Sequence, residues 1–137
     1  MQINNIQSNQ SFGHLSFDER ALNLLRKRVR SASDVEKLQR LVEASKKNPL
    51  ETRIVAVDHF LSGEPNQFVG STKFTLHGKE REKYMWEWEQ NFFACLINSP
   101  LRFIKKVSKQ ADSILKQVEK ADKIDAKLAT LPKCKSY

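Results

Sequence analysis

The amino acids that most often carry out chemistry are few in this 137-residue chain, and they lie far apart. None of the three histidines, His14, His59 and His77, has a second metal ligand at a spacing that would place both on one helix face. Asp58 and His59 are adjacent, but neighbouring residues of a strand point to opposite faces, so they form no catalytic dyad by themselves. The sequence predicts neither a metal site nor a cofactor.

A nucleophile and a phosphate-binding loop are equally poorly supported. Cys95 lies among aromatic and aliphatic residues, an environment in which a thiol stays protonated and unreactive. With Cys134 as the second cysteine, the chain is expected to hold free thiols rather than a disulfide framework. The four glycines are scattered, so no glycine-rich loop is available to hold a phosphate. The sequence therefore favours a binding protein over an enzyme.

The formal charge of +8 is unevenly distributed along the chain. Residues 14–49 carry nine Lys or Arg against five Asp or Glu, residues 50–99 carry five against seven, and residues 100–137 carry ten against four. Two basic ends therefore flank a mildly acidic middle. Such a field speeds association with polyanions, but by itself it does not choose among nucleic acid, a membrane surface and an acidic protein.

Hydropathy and length limit how the chain can be organised. No stretch approaches the roughly 20 apolar residues that a membrane span requires, and the polar start lacks the features of a signal peptide. We therefore expect no membrane span and a cytoplasmic location. We also expect a flexible arm over residues 1–13, a single α+β domain, mainly α, over 14–131, and a frayed tail over 132–137.

Two short helices are predicted at the start of the domain. Ser16 and Glu19 match a capping box, in which the side chain of each residue accepts a hydrogen bond from the backbone N–H of the other. The box predicts a helix over about 17–30. A second box, from Ser33 to Glu36, predicts a helix that ends near residue 47. Together the two helices form a helical hairpin.

A β-hairpin is predicted next, because β-branched residues are followed by a stretch that alternates apolar and polar side chains. Pairing through a turn at 62–66 places Ile54 opposite Phe74 and makes one face mostly apolar. A helix over 50–62, with Pro49 in its first turn, fits the same residues and stays an open alternative.

An aromatic-rich central helix is predicted over about residues 79–98. At 100° per residue its apolar side chains cover an arc of about 220°, roughly twice that of an ordinary surface helix. Such a helix is wrapped on more than one side by the rest of the domain. Glu87 falls outside the arc and is expected to be solvated, whereas Trp86, at its margin, is a candidate for an exposed aromatic patch.

A long amphipathic helix over about 100–130 completes the predicted fold, with Pro100 in its first turn. Its apolar residues recur at heptad-like spacing, which is typical of a coiled coil, and the far half needs cover from elsewhere. Its outer face carries a series of lysines: Lys105, Lys106, Lys109, Lys116, Lys120, Lys123 and Lys127.

Two classes of binding protein fit these elements. The class that the sequence favours is a non-catalytic protein-interaction or assembly module, which would form a homodimer or bind a protein partner, with Trp86, Ile114, Val118 and Leu128 in its interaction patch. The alternative is a sequence-independent nucleic-acid-binding protein that contacts phosphates through basic helices. Its candidate residues are Arg26, Lys27, Arg28, Arg30, Lys105, Lys106 and Lys109.

Overall fold

The structure is a computed structural model that describes residues 15–58, 65–87 and 100–136. Within these ranges the strands are Leu15–Phe17 (β1), Glu51–Asp58 (β2), Pro65–Leu76 (β3) and Lys79–Trp86 (β4). The helices are Glu19–Arg28 (α1), Ala32–Ser45 (α2) and Pro100–Leu128 (α3). The chain order is β1-α1-α2-β2-β3-β4-α3. The α+β class expected from the sequence is confirmed.

The four strands form one mixed sheet in the order β1-β2-β3-β4. Strand β1 runs parallel to β2, and the other neighbours are antiparallel. Because side chains alternate along a strand, Ile54, Ala56 and Phe68 share one face. Helices α1 and α3 pack against that face, and α2 packs mainly against α3. The rest of the buried core comes from β1 and the helices: Leu15, Ala21, Leu24, Leu25, Phe103, Ile104 and Val107.

The predicted hairpin between β2 and β3 is present, but its register differs. Ile54 lies opposite Gly70 rather than opposite Phe74. The shift of four residues is even, so every side chain keeps the face that its hydrophobicity requires. The apolar pattern therefore selects the face of each strand but not its partner residue, and the predicted turn at 62–66 lies largely outside the described residues.

The predicted aromatic helix is wrong over residues 79–86, which form strand β4. His77 and Gly78 connect β3 to β4 with φ angles of 51° and 78°. Positive φ at both central residues suits the tight turn that joins two antiparallel strands. Charged residues fill the exposed first part of β4, and they blunt a free sheet edge that would otherwise recruit other chains. Residues 88–98 of the predicted helix lie outside the described ranges.

Both predicted capping boxes are displaced by two residues. The side chain of Asp18, not that of Ser16, accepts a hydrogen bond from the backbone N–H of Ala21 at 2.7 Å and caps α1. Ser16 is instead part of β1, whose extended backbone pairs with β2. Ser31, not Ser33, caps α2 by accepting from the N–H of Asp34 at 3.2 Å.

Glu87, which the helical interpretation placed in solvent, is buried, with 6% exposure. The strand alternation of β4 continues to this residue and turns it toward the core, on the side of Met85. Its carboxylate accepts hydrogen bonds from Arg28 at 2.8 and 3.1 Å and from the backbone N–H of Phe68 at 3.0 Å. The Arg28 guanidinium also lies 5.5 Å from the centre of the Phe68 ring. This carboxylate ties the end of α1 to β3 and β4.

Helix α3 lies directly on the sheet because Gly70 leaves room for it. A Cβ atom at Gly70 would lie 2.6 and 2.7 Å from the two Cγ atoms of Val107. Two polar contacts fix the helix further along. The Asn48 side-chain amide donates to Asp112 at 3.1 Å, and His77 Nδ1 lies 3.0 Å from the carboxylate of Asp125.

Candidate polyanion-binding surface

Helix α3 has two chemically different sides. Small and aliphatic residues recur at three- and four-residue steps and face the sheet, as a helix on a sheet requires. The buried positions of α3 are Pro100, Phe103, Ile104, Val107, Ser108, Ala111, Ile114 and Ala121. The opposite side is exposed and basic, and it is the most regular arrangement of charge in the described part of the chain.

We call six lysines on this outer side the cationic stripe: Lys105, Lys109, Lys116, Lys120, Lys123 and Lys127. All six are exposed. At 100° per residue they fall within about 60° of one another, so they form a narrow row rather than a belt around the helix. From the first to the last the row is about 33 Å long, at 1.5 Å per residue.

The acidic residues of α3 do not neutralise this row. Asp112 and Glu119 lie one turn before Lys116 and Lys123, at the edge of the row, whereas Asp122 and Asp125 lie farther round the helix, toward the sheet. The side chain of Asp112 is held by Asn48, and that of Asp125 by His77. Within the described ranges, no lysine of the stripe has an acidic group at ion-pair distance. The six lysines of the stripe are therefore exposed and form no direct ion pair with the described acids.

A row of this kind can bind phosphates without reading bases. Lysines three and four positions apart on a helix lie about 5 to 6 Å from each other, and each ammonium is a compact point charge on a flexible stem. Base recognition in a groove uses Arg, Asn or Gln side chains at defined positions, whereas the row consists of lysines and only Arg102, near its start, lies on the same side of the helix. The geometry suits sequence-independent contact with a phosphate backbone.

The structure places the basic residues predicted on the first helix in two different environments. Arg26, Lys27 and Arg30 are exposed at the end of α1 and just beyond it. Arg28 instead turns inward to Glu87, and its side chain is 27% exposed. The hydrogen-bonded contact with a buried carboxylate holds Arg28 in the fold. Lys106, also predicted, lies on α3 but off the stripe, toward a different side of the helix.

The predicted interaction residues are also separated from one another. Ile114 is buried in the chain's own core and Val118 is half-buried, whereas Leu128 is 56% exposed. Trp86 is half-buried at the end of β4, paired with Val69. Near Leu128, Ile124 and Leu131 are 45% and 57% exposed. Exposed aliphatic surface on α3 is therefore confined to its last turns.

The described region has a cleft lined by several charged side chains but no cluster of residues that could hold a metal ion. One cleft, of about 910 Å³, lies between the start of β2, the end of β3, β4 and α3, and carboxylates and cations both line it. Among the described residues no three His, Cys, Asp or Glu side chains gather to hold a metal ion. Tyr84 lies on the sheet face away from the helices. The hydrogen bond to Glu82 and then the charge of that carboxylate raise the pKa of Tyr84.

None of the three described helices is long and apolar enough to cross a membrane. Comparison with protein-family models, with curated proteins and with solved structures finds no match.

Proposed function

We propose that this chain is a non-catalytic binding module that holds the phosphate backbone of a nucleic acid along the outer side of α3, without sequence preference. The observation that carries the proposal is the segregation of charge on α3. Six lysines form one exposed row, while Asp112 and Asp125 of the same helix are held by Asn48 and His77. A lysine face that only keeps a protein in solution needs no such separation.

The shape of the row also favours a long polyanion. Duplex DNA carries one negative charge per roughly 1.7 Å of its axis, so a row of about 33 Å faces many phosphates at once. Binding releases the counterions condensed on those phosphates, and this release supplies the affinity. The inner side of α3 is fixed to the sheet, so the row is presented on a rigid element.

Replacement of Lys109, Lys116 and Lys120 by glutamine tests the proposal. We expect wild-type affinity for a labelled 20-base-pair duplex to fall with salt at a log–log slope between about −3 and −5. The triple variant should have a slope smaller by up to about 2.7, and at 0.1 M salt an affinity about 10²- to 10³-fold lower. Fluorescence anisotropy across a salt series measures both quantities.

The matched control replaces Arg26, Lys27 and Arg30 by glutamine, which removes the same charge from exposed positions on another part of the chain. This control should keep most of the wild-type slope, and duplexes of unrelated sequence should bind equally. Equal losses in the two triple variants would show that net charge, not the row on α3, governs binding, and the proposal would then be abandoned.

A second candidate function, a protein-interaction or assembly module, is supported by a separate observation. Ile124, Leu128 and Leu131 are exposed together at the end of α3. Burial of Ile114 and the half-burial of Val118 leave only this end of the apolar stripe for a partner. Two copies that met there would bring their lysine rows close to each other, so self-association should strengthen with salt, the opposite of phosphate binding.

The double variant Ile124→Lys, Leu128→Lys tests this second candidate. If the exposed end of α3 mediates self-association, the variant should be monomeric at concentrations where the wild type is not, with nearly unchanged thermal stability. Sedimentation velocity at low and high salt gives the result. Leu22→Lys with Val35→Lys, two aliphatic positions of similar exposure elsewhere, is the control and should associate like the wild type.

A further inference from the structure

A cleft of about 330 Å³ lies between α2 and the start of α3. Lys37, Arg40 and Leu41 of α2 and Leu101 and Lys105 of α3 line it. Its volume falls at the lower end of the range for sites that bind small molecules. The cleft thus combines three cations with two aliphatic side chains and no acid.

The three cations have little to neutralise them. Arg40 has its nearest acid, Glu36, 4.0 Å away, and both side chains are largely exposed, so this ion pair contributes little. Neither Lys37 nor Lys105 has an acidic group at ion-pair distance among the described residues. Like charges that converge on one cleft repel each other, and a bound dianion would relieve that repulsion. The planar guanidinium of Arg40 matches a phosphate group in particular.

The walls of the cleft specify the rest of the ligand. Leu41 and Leu101 are half-buried, and they offer aliphatic surface directly beside the cations. Among the described residues that line the cleft, there is no aromatic ring on which a nucleobase could stack and no Asn, Gln, Ser or Thr side chain to read one. A flexible aliphatic chain is the apolar group that these walls suit.

We propose that the cleft between α2 and α3 binds a phosphate monoester that carries an aliphatic chain. The dianionic phosphate lies between Lys37, Arg40 and Lys105, and the chain lies on Leu41 and Leu101. The site overlaps the cationic stripe at Lys105, and its other two cations, Lys37 and Arg40, belong to α2. Binding is reversible and involves no covalent step.

Titration of the full-length chain with hexyl phosphate and with inorganic phosphate tests the proposal. We expect hexyl phosphate to bind at least tenfold tighter, the factor expected when about two methylene groups leave water. In methyl NMR spectra the resonances of Leu41 and Leu101 should shift with hexyl phosphate. Comparable affinity for the two probes, or shifts confined to other methyl groups, would overturn the assignment.

Two double variants test which positive charges the binding of hexyl phosphate requires. Lys37→Gln with Arg40→Gln should weaken hexyl phosphate binding at least tenfold, whereas Lys116→Gln with Lys120→Gln, which removes the same charge from the stripe, should change it less than twofold. The second pair should weaken DNA binding, so the two sites fail independently. Equal losses in both pairs, or adenosine monophosphate binding tighter than hexyl phosphate, would refute the aliphatic phosphate site.

Discussion

Replacing Glu87 by alanine is expected to lower the free energy of unfolding by about 3 to 5 kcal/mol, the loss seen when one partner of a buried ion pair is removed. The change would remove the carboxylate that pairs with the Arg28 guanidinium and leave the backbone N–H of Phe68 without its acceptor at 3.0 Å. Urea denaturation followed by tryptophan fluorescence measures the loss.

Two further variants separate the contributions of charge and hydrogen bonding. Glu87→Gln keeps an oxygen that can accept from Phe68 but removes the charge that faces Arg28, so its loss should be intermediate. Because Arg28 retains some solvent contact, Arg28→Ala combined with Glu87→Ala should cost less than the sum of the single changes, with a coupling of about 1 to 3 kcal/mol. Glu80→Ala, on the exposed part of β4, is the control and should change stability by less than about 0.5 kcal/mol. A similarly small loss at Glu87 would contradict the role assigned to it.

The features that the sequence predicted well depend on short-range patterns. Strands β2 and β3 were predictable because alternating hydrophobicity distinguishes their two faces, and α3 because Pro100 and a long apolar stripe mark its start and extent. Their partners were not predictable by the same means. Ile54 can face Gly70 or Phe74 without changing the face of any residue, so the register depends on the turn and on the packing of α3.

The main error arose where aromatic content was read as helical periodicity. Over residues 79–86, Lys79, Arg81, Lys83 and Met85 alternate with acids and aromatics, which is a strand pattern. The aromatic residues after residue 86 fitted a helical period and hid this strand pattern. The turn at His77 and Gly78 was the missed signal, since a short polar pair ending in Gly between two alternating segments favours a hairpin. The burial of Glu87 could not be foreseen once its strand had been missed.

The candidate site was partly predictable for a similar reason. Lysine spacing on an amphipathic helix places Lys105, Lys109 and Lys116 on the outer side once the inner side is known. The sequence does not reveal that Arg28 is withdrawn to Glu87, or that Lys37 and Arg40 of α2 come to lie beside Lys105, because both depend on contacts between elements far apart in the chain.

The position of α3, and with it of the cationic stripe, depends on a residue with no side chain. Val107 rests on Gly70, whose neighbours across the sheet are Ile54 and Met85. A side chain at this position would push the helix away from the sheet or force the buried valine out of its preferred rotamer. Small size at Gly70 is therefore a packing requirement, since no positive φ is involved there.

Gly70→Ala is accordingly expected to lower the free energy of unfolding by about 1 to 3 kcal/mol, as overpacking of a core does. Val107→Ala removes both Cγ atoms that the new methyl group would meet, so the double variant should be more stable than the sum of the two single losses predicts, by about 0.5 to 3 kcal/mol.

Gly78→Ala is the contrasting control. Its φ is 78° with no atom within 4 Å of an added Cβ, so its cost is one of backbone strain and should add to that of Val107→Ala without coupling. Urea denaturation of the three single and two double variants measures each coupling. Simple additivity at Gly70 would show that α3 does not rest on the sheet at this point.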